Sequence, residues 1–230
     1  AWLKCYYPEE FFAALLTYSA DDKVDVYNDV LYKQYGIEIT VPDIRDLSRT
    51  YNPSKGKIAY GITKIKGIGE KAIPTILNAG PYESVSDFIN KVNEYDISRG
   101  SKKTVNKTAI MALIKAGAFD SLGETNRYKL INEAYDTRKD KDERLDESTW
   151  NKSKAQKLEI DVLNTSITYP LVCASAENED KVELNNCKII AVNEKKDKKG
   201  KLMAFVKVLV DDVEPVDVLV FSSSYINNYD

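Results

Sequence analysis

The stretch Ile65-Lys66-Gly67-Ile68-Gly69-Glu70-Lys71-Ala72 constrains this chain more than any other part of it. Two glycines one residue apart allow a turn with positive φ and leave no Cβ on its outer side, so an anion can approach the backbone N–H groups. The spacing predicts a helix opening near Glu70, whose unpaired first-turn donors and positive dipole end would join the same anion site. Ile65 and Ile68 are the expected apolar supports beneath the turn, and Ala72 is small enough for two flanking helices to close. A plain tight turn with no ligand is the competing reading of such a glycine pair. Here Lys64, Lys66 and Lys71 crowd the turn, and lysines so placed suit phosphate contact.

A hydrophobe, a Gly-hydrophobe-Gly hairpin and a small residue three places on is the pattern of a helix-hairpin-helix module, which holds a nucleic-acid backbone without reading bases. The charge distribution agrees with it once the chain is divided. The 230 residues carry a formal net charge of -3, but residues 55–119 hold 11 Lys+Arg against 5 Asp+Glu, or +6. Residues 1–54 hold 5 against 9, or -4, and residues 120–230 hold 17 against 22, or -5. A local patch governs backbone contact, not the whole-chain charge. The loop Ser98 to Lys103 adds Arg99, Lys102 and Lys103. The candidate DNA-binding residues are therefore Lys64, Lys66, Gly67, Ile68, Gly69, Lys71, Arg99, Lys102 and Lys103. Chance clustering of solvated lysines is the bland alternative.

The complete lack of histidine removes Ser-His-Asp and Cys-His nucleophilic sites, two-His metal helices and the usual imidazole base. No Gly-x-x-x-x-Gly-Lys-Ser/Thr loop is present, and Gly67 and Gly69 lack the third glycine of a dinucleotide fingerprint. Asp21-Asp22 and Asp211-Asp212 read as solvated turns, so no metal site and no cofactor are expected in this segment. Cys5, Cys173 and Cys187 are far apart and odd in number, which argues against a disulfide framework and fits a reducing, cytoplasmic setting. No run of about 18 apolar residues suggests a membrane span. The chain begins Ala-Trp-Leu, which is expected of a segment excised from something longer.

The apolar spacing predicts a helix over Pro8–Ser19 with Phe11, Phe12, Leu15 and Leu16 inside, and a second from Asp21 or Asp22 to Tyr35, stopped by Gly36. Ile37 to Val41 reads as a short strand. Arg45 to Lys57, with its Asn52-Pro53-Ser54 turn signal, reads as a connector, and helical units follow from Ile58. A short helix over Ala72–Asn78 accommodates Pro74 in its first turn. Ser84 and Asp87 form a capping-box start, a basic flexible loop covers residues 98–103, and Thr104 caps a helix over Val105–Ala116. Leu113 to Phe119 repeats the Ala-Gly ending of Thr75 to Gly80, which hints at a tandem second hairpin. Asp136 to Glu147 reads as an exposed helix or linker. Lys188–Asn193, Leu202–Val210 and Val216–Phe221 alternate as three strands.

Residues 2–17, WLKCYYPEEFFAALLT, resemble the end of the fingers region in the alpha subunit of bacterial DNA polymerase III, the C-family replicative polymerases. Ile37 to Ile44, Tyr60 to Gly69 and Leu113 to Leu122 (LIKAGAFDSL) resemble further motifs of that family, in the family's order. The resemblance thins beyond residue 122, and Thr168-Tyr169-Pro170-Leu171 has tyrosine where the family has histidine. That departure suits a divergent version encoded by a phage or mobile element. The residues 188–221 region, including KKGKLMAFVKVLVDD, resembles the start of the family's OB domain, although an OB barrel needs five strands.

The resemblance implies an α+β fold: an N-terminal all-helical region with a tandem helix-hairpin-helix module, followed by a partial antiparallel OB-like unit. It divides the chain into the end of the fingers (1–54), the hairpin module (55–122), a charged helical connector (123–180) and a partial OB-fold (181–230). It implies a DNA-directed DNA polymerase, a nucleotidyltransferase, as the parent. The Mg-binding palm aspartates of that parent do not map onto this chain, which should grip duplex DNA without catalysing. Single-stranded DNA is the expected partner of the OB-like unit, with lysines 195–201 for charge and Phe205 or Tyr225 for stacking. The rest of the polymerase chain is a further partner. The family's sliding-clamp contact has no convincing motif here, since Gln156-Lys157-Leu158-Glu159-Ile160 lacks the aromatic end. Two alternatives stay open: a stand-alone helix-hairpin-helix binding or repair-scaffold protein, and an interaction module with a cosmetic Gly-x-Gly turn.

Overall fold

The computed structural model describes residues 2–19, 24–168, 187–196, 200, 202–210 and 216–220, and the chain divides into two units, residues 1–171 and 172–230. In the first unit, α1 (Trp2–Tyr6) leads into α2 (Pro8–Tyr18), which buries Phe12, Ala13 and Leu16 and lays Phe11 and Leu15 against the core. α3 (Val24–Val30) continues into a π-helical turn, Leu31–Tyr35, that ends at Gly36 with φ 65°.

The N-terminal region is not all helical. β1 (Glu38–Thr40), β2 (Asn52–Ser54) and β3 (Lys57–Ala59) form a small sheet in the order β1-β3-β2, with β1 parallel and β2 antiparallel to β3. Asn52-Pro53-Ser54, expected as a turn, is an edge strand, where a proline without an N–H is tolerated. The turn falls one step later, at Lys55 (φ 36°) and Gly56 (φ 82°), both positive as a two-residue hairpin that follows the strand twist requires. β1 falls within the short strand expected over Ile37–Val41, whereas β2 read as connector and the helical units expected from Ile58 begin instead with the strand β3, because three residues are too few to display alternation. Glu9 Oε1 accepts the Gly56 N–H at 2.7 Å and ties α2 to this hairpin. The expected junction between residues 54 and 55 lies between the paired strands β2 and β3.

α4 (Ile73–Asn78), α5 (Val85–Ser98), α6 (Lys107–Lys115), α7 (Arg127–Arg138) and α8 (Lys152–Leu163) complete the unit. Ser84 caps α5 as expected, accepting the Asp87 N–H at 3.0 Å, but the Asp87 carboxylate returns to the Glu83 N–H rather than to Ser84. The cap of α6 is Asn106, which accepts the Ala109 N–H at 2.9 Å; Thr104 is used elsewhere. α6 is buried on most of its circumference through Ala109, Ile110, Ala112, Leu113 and Ile114, because α7 and α8 pack on it. Around it Phe88 meets Tyr82 and Phe119 edge to face. The segment expected as a charged connector thus supplies two core helices, with Leu130, Ile131, Ala134, Val162 and Leu163 buried. The polar strip after α7 is non-helical and pinned: Leu145 N–H donates to Asn132 Oδ1 at 2.9 Å, and Lys107 pairs with Asp142.

In the second unit β4 (Cys187–Lys196), β5 (Leu202–Val210) and β6 (Val216–Val220) form an antiparallel meander in the order β4-β5-β6, with a register shift between Ile189 and Ala191. The three strands match the expected ones. The mixed α+β class is what the described residues display. The stacking roles expected of Phe205 and Tyr225, and the Thr168–Leu171 departure beyond Thr168, concern side chains or residues outside the described ones.

Candidate nucleic-acid interface

A single 3-10 turn, Ile62–Lys64, delivers the chain to Gly67, whose φ is 92°. A Cβ there would stand 3.2 Å from Thr108 Cγ2, so α6 comes close to the turn and a side chain would be tightly placed as well as disfavoured by the backbone conformation. Gly69 does not share the positive φ; its Cβ position meets nothing within 4 Å. The expectation that both glycines turn with positive φ holds for Gly67 alone. Gly69 contributes openness.

The following helix starts at Ile73 and not near Glu70. Pro74 stands at its second position, where its fixed φ and missing donor fit a helix start. Residues 69–72 form a separate turn closed by the Ala72 N–H on the Gly69 carbonyl at 2.9 Å. Among the described residues the N–H groups of Gly67, Gly69, Glu70 and Lys71 donate to no protein acceptor. Four unpaired donors therefore lie in exposed residues beside the lysines Lys66 and Lys71. Beneath them Ile65 and Ala72 are buried, and Ile68 rests partly buried against the core.

Three contacts around this turn have no signal in the local sequence. Lys66 N–H donates to the Val162 carbonyl at 2.9 Å, and Tyr60 Oη donates to the Leu163 carbonyl at 3.0 Å. The last carbonyls of α8, which an isolated helix leaves unsatisfied, thus hold the hairpin from below. Arg49 Nη2 pairs with Glu70 at 2.5 Å and offsets the one negative side chain beside the open donors. Lys64 is placed differently from the other candidates. Its Nζ donates to the Ser19 carbonyl at 2.9 Å, at the end of α2, and the residue is half-buried.

The second basic segment is exposed at Arg99, Lys102 and Lys103. Its ends are fixed, contrary to the flexible loop expected: Gly100 N–H donates to the Ile97 carbonyl and Ser101 N–H to the Asp96 carbonyl, both at 2.9 Å. The Arg99 guanidinium lies over the Tyr95 ring at 5.5 Å and donates to its hydroxyl. Burial, with the nearby Arg138 guanidinium, holds the Lys103 ammonium below the usual lysine range, against the opposing pull of Asp140 and Asp96.

The supposed second hairpin is built for another purpose. Gly117, φ 82°, follows α6 with the Ala118 N–H returning to the Leu113 carbonyl at 3.0 Å, a left-handed helix end. A Cβ at Gly117 would stand 2.4 Å from Arg127 Nη2. That guanidinium, 1% exposed, is paired to Glu159 (0%) and Asp120, each at 2.7 Å, and donates to the Lys115 carbonyl. Glu159 Oε2 in turn accepts the N–H groups of Ile167 (2.7 Å) and Thr168 (3.0 Å). The inner side of this turn is filled by an ion pair where the first turn is open, so the two do not form equivalent backbone sites. In the weak clamp-like peptide Gln156 and Glu159 are buried, while Lys157 and Ile160 are exposed.

The model of the family described as "Helix-hairpin-helix motif" matches residues 36–130, the stretch that holds this turn and its lysines. The chain is also similar to DNA polymerase III subunit alpha. It is 37% identical over 136 residues to the Campylobacter jejuni protein, covering 55% of this chain and 11% of that one. It is 38% identical over 146 residues to the Deinococcus radiodurans protein (61% and 10%) and 35% identical over 139 residues to a Neisseria meningitidis one (57% and 11%). The family resemblance carried by the motifs of residues 2–122 is thereby shown as homology to a segment of that subunit. The chain spans about a tenth of the length of these relatives.

Proposed function

We propose that this chain is a non-catalytic, DNA-binding portion of a replicative DNA polymerase that grips the backbone of the duplex product. The observation that carries the reading is the set of unpaired N–H groups at the exposed residues Gly67, Gly69, Glu70 and Lys71, beside the exposed Lys66. Such a set accepts phosphate oxygens whatever the bases, and homology to polymerase III alpha supplies the setting. Arg99, Lys102 and Lys103 add a second backbone contact. Lys64 serves the fold at the end of α2 and is left out of the contact set.

The finer part of the reading assigns β4–β6 to an OB-like unit near single-stranded template. The antiparallel meander and the exposed Lys195 and Lys196 at one end of β4 support it. Chemistry would belong to a palm elsewhere in the parent, acting in the cytoplasm. Among the described residues no group of three or more carboxylates or cysteines stands close enough to hold a metal ion. Among the same residues no helix is long and apolar enough to cross a membrane.

Fluorescence anisotropy with duplex and single-stranded DNA over a salt series tests the reading. The chain binds duplexes of unrelated sequence alike, and the double variant K66E/K71E weakens all of them together and flattens the salt slope. Unchanged affinity in that variant removes the site assignment, and absence of duplex binding by the unmodified chain removes the function.

A further inference from the structure

Asp96 stands in the last turn of α5, where a carboxylate opposes the negative end of the helix dipole, and it is 3% exposed. Two unfavourable placements of one charge require compensation, and the hydrogen bonds of this carboxylate supply it. Thr75 Oγ1 donates to Asp96 Oδ1 at 3.0 Å. Thr104 N–H donates to Oδ2 at 2.7 Å, and the Thr104 hydroxyl donates to the same carboxylate at 2.9 Å. Thr75 belongs to α4, the helix that leaves the Gly67–Lys71 turn, and is itself buried. Thr104 closes the far end of the basic loop, and the Asp96 carbonyl accepts the Ser101 N–H within it. One buried residue therefore bonds the helix behind the first phosphate-binding segment and both ends of the second.

We propose that Asp96, acting with Thr75 and Thr104, is a positioning residue that sets the separation and orientation of the Gly67–Lys71 turn and the Arg99–Lys103 loop, so that both engage one duplex backbone at once. The inference rests on the DNA-binding reading above and deepens it. Two segments held rigidly relative to each other bind as a single unit, because neither must be ordered after the other has engaged. Asp96 touches no DNA; it determines whether the second segment is available when the first is bound. Loss of the brace leaves Arg99, Lys102 and Lys103 in place but lets the loop move independently of α4.

The test uses the full chain, a fluorescein-labelled duplex of mixed sequence and the variants T75V, D96N and D96A. T75V is nearly isosteric and removes the hydrogen bonds of Thr75 to the Asp96 carboxylate and to the Thr104 hydroxyl, leaving the Thr104 N–H on the carboxylate. It is expected to weaken duplex binding several-fold and to flatten the slope of log Kd against log salt by about 0.9 for each phosphate that the variant no longer engages. Its melting temperature falls by about a few degrees, the cost of one donor lost to a buried carboxylate, and the chain remains folded at the assay temperature. D96N keeps an acceptor for the threonine hydroxyls and falls between the unmodified chain and D96A. Weaker binding with an unchanged slope and a melting temperature lowered further, into the assay range, would reflect loss of folded protein and overturn the positioning role. T75V and D96N binding with the parental affinity and slope would overturn it too, while leaving the function standing. Absence of duplex binding by the unmodified chain would overturn both. Should D96A not fold, T75V alone decides.

Discussion

Gly67 and Gly69 look alike in the sequence and do different work in the fold. Gly67 has φ 92° and Thr108 against its Cβ position; Gly69 has neither constraint. G67A is expected to lower stability by about 1–3 kcal/mol, the cost of holding an ordinary residue in a sparsely populated backbone region. G69A is expected to leave stability within about 0.5 kcal/mol, as at unconstrained surface positions. It should weaken duplex binding all the same, since its methyl group stands where a phosphate approaches the turn. Chemical denaturation and anisotropy of the two variants separate the roles, and equal effects of both on stability would contradict them. The turn at the glycine pair and its lysine flanks were legible in the sequence, because spacing and neighbouring residues are local. The division of labour was not, since it depends on α6, some forty residues further along the chain. Arg49 was illegible for the same reason: its partner Glu70 lies 21 positions away.

Among elements, the helices were read well and the connections poorly. A cap such as Ser84 or a stop such as Gly36 is set by neighbours in sequence. Long-range supports such as Glu9 to Gly56 or Arg127 to Glu159 leave no local trace. The Arg127 pair makes a strong demand on α7 and α8. R127A leaves Glu159 buried without its cation and is expected to cost about 3–5 kcal/mol, measured by denaturant unfolding. The loop after β1 is joined to the turn after α6 by Ser121 Oγ donating to Asp43 Oδ1 at 2.6 Å and Ile44 N–H donating to the Ala118 carbonyl at 2.8 Å. Burial pushes the Asp43 carboxyl up, but hydrogen bonds from Arg45 and Ser121 outweigh it and hold the group below the usual carboxylate range. A carboxyl depressed in the folded state stabilises the fold fully above its unfolded pKa, about 3.9, and the contribution is lost as pH falls through the folded value. Melting temperatures from pH 5 downward should therefore fall less steeply in D43N than in the unmodified chain. Parallel curves would contradict that role for Asp43.

At the scale of the molecule, a chain of net charge -3 carries its positive charge in the segment that holds the open turn, while acidic residues dominate on either side of it. The fold uses the polar region after residue 122 as structure: α7 and α8 complete the core, and the end of α8 holds the hairpin. Its charge made that region read as a connector, yet Leu130, Ile131, Ala134, Val162 and Leu163 within it are buried. The tandem symmetry suggested by two Ala-Gly endings fails on the same ground, since the second turn encloses Arg127. The proposed backbone grip is therefore centred on one turn, with the basic loop of residues 99–103 beside it. The most direct test is a titration of the isotope-labelled chain with duplex DNA, following backbone amide resonances. The largest shifts are expected on Gly67, Gly69, Glu70 and Lys71, with a second set at Lys102 and Lys103, and both should fade together as salt is raised. Duplex binding that leaves the amides of residues 67–71 unmoved would contradict a backbone grip centred on this turn.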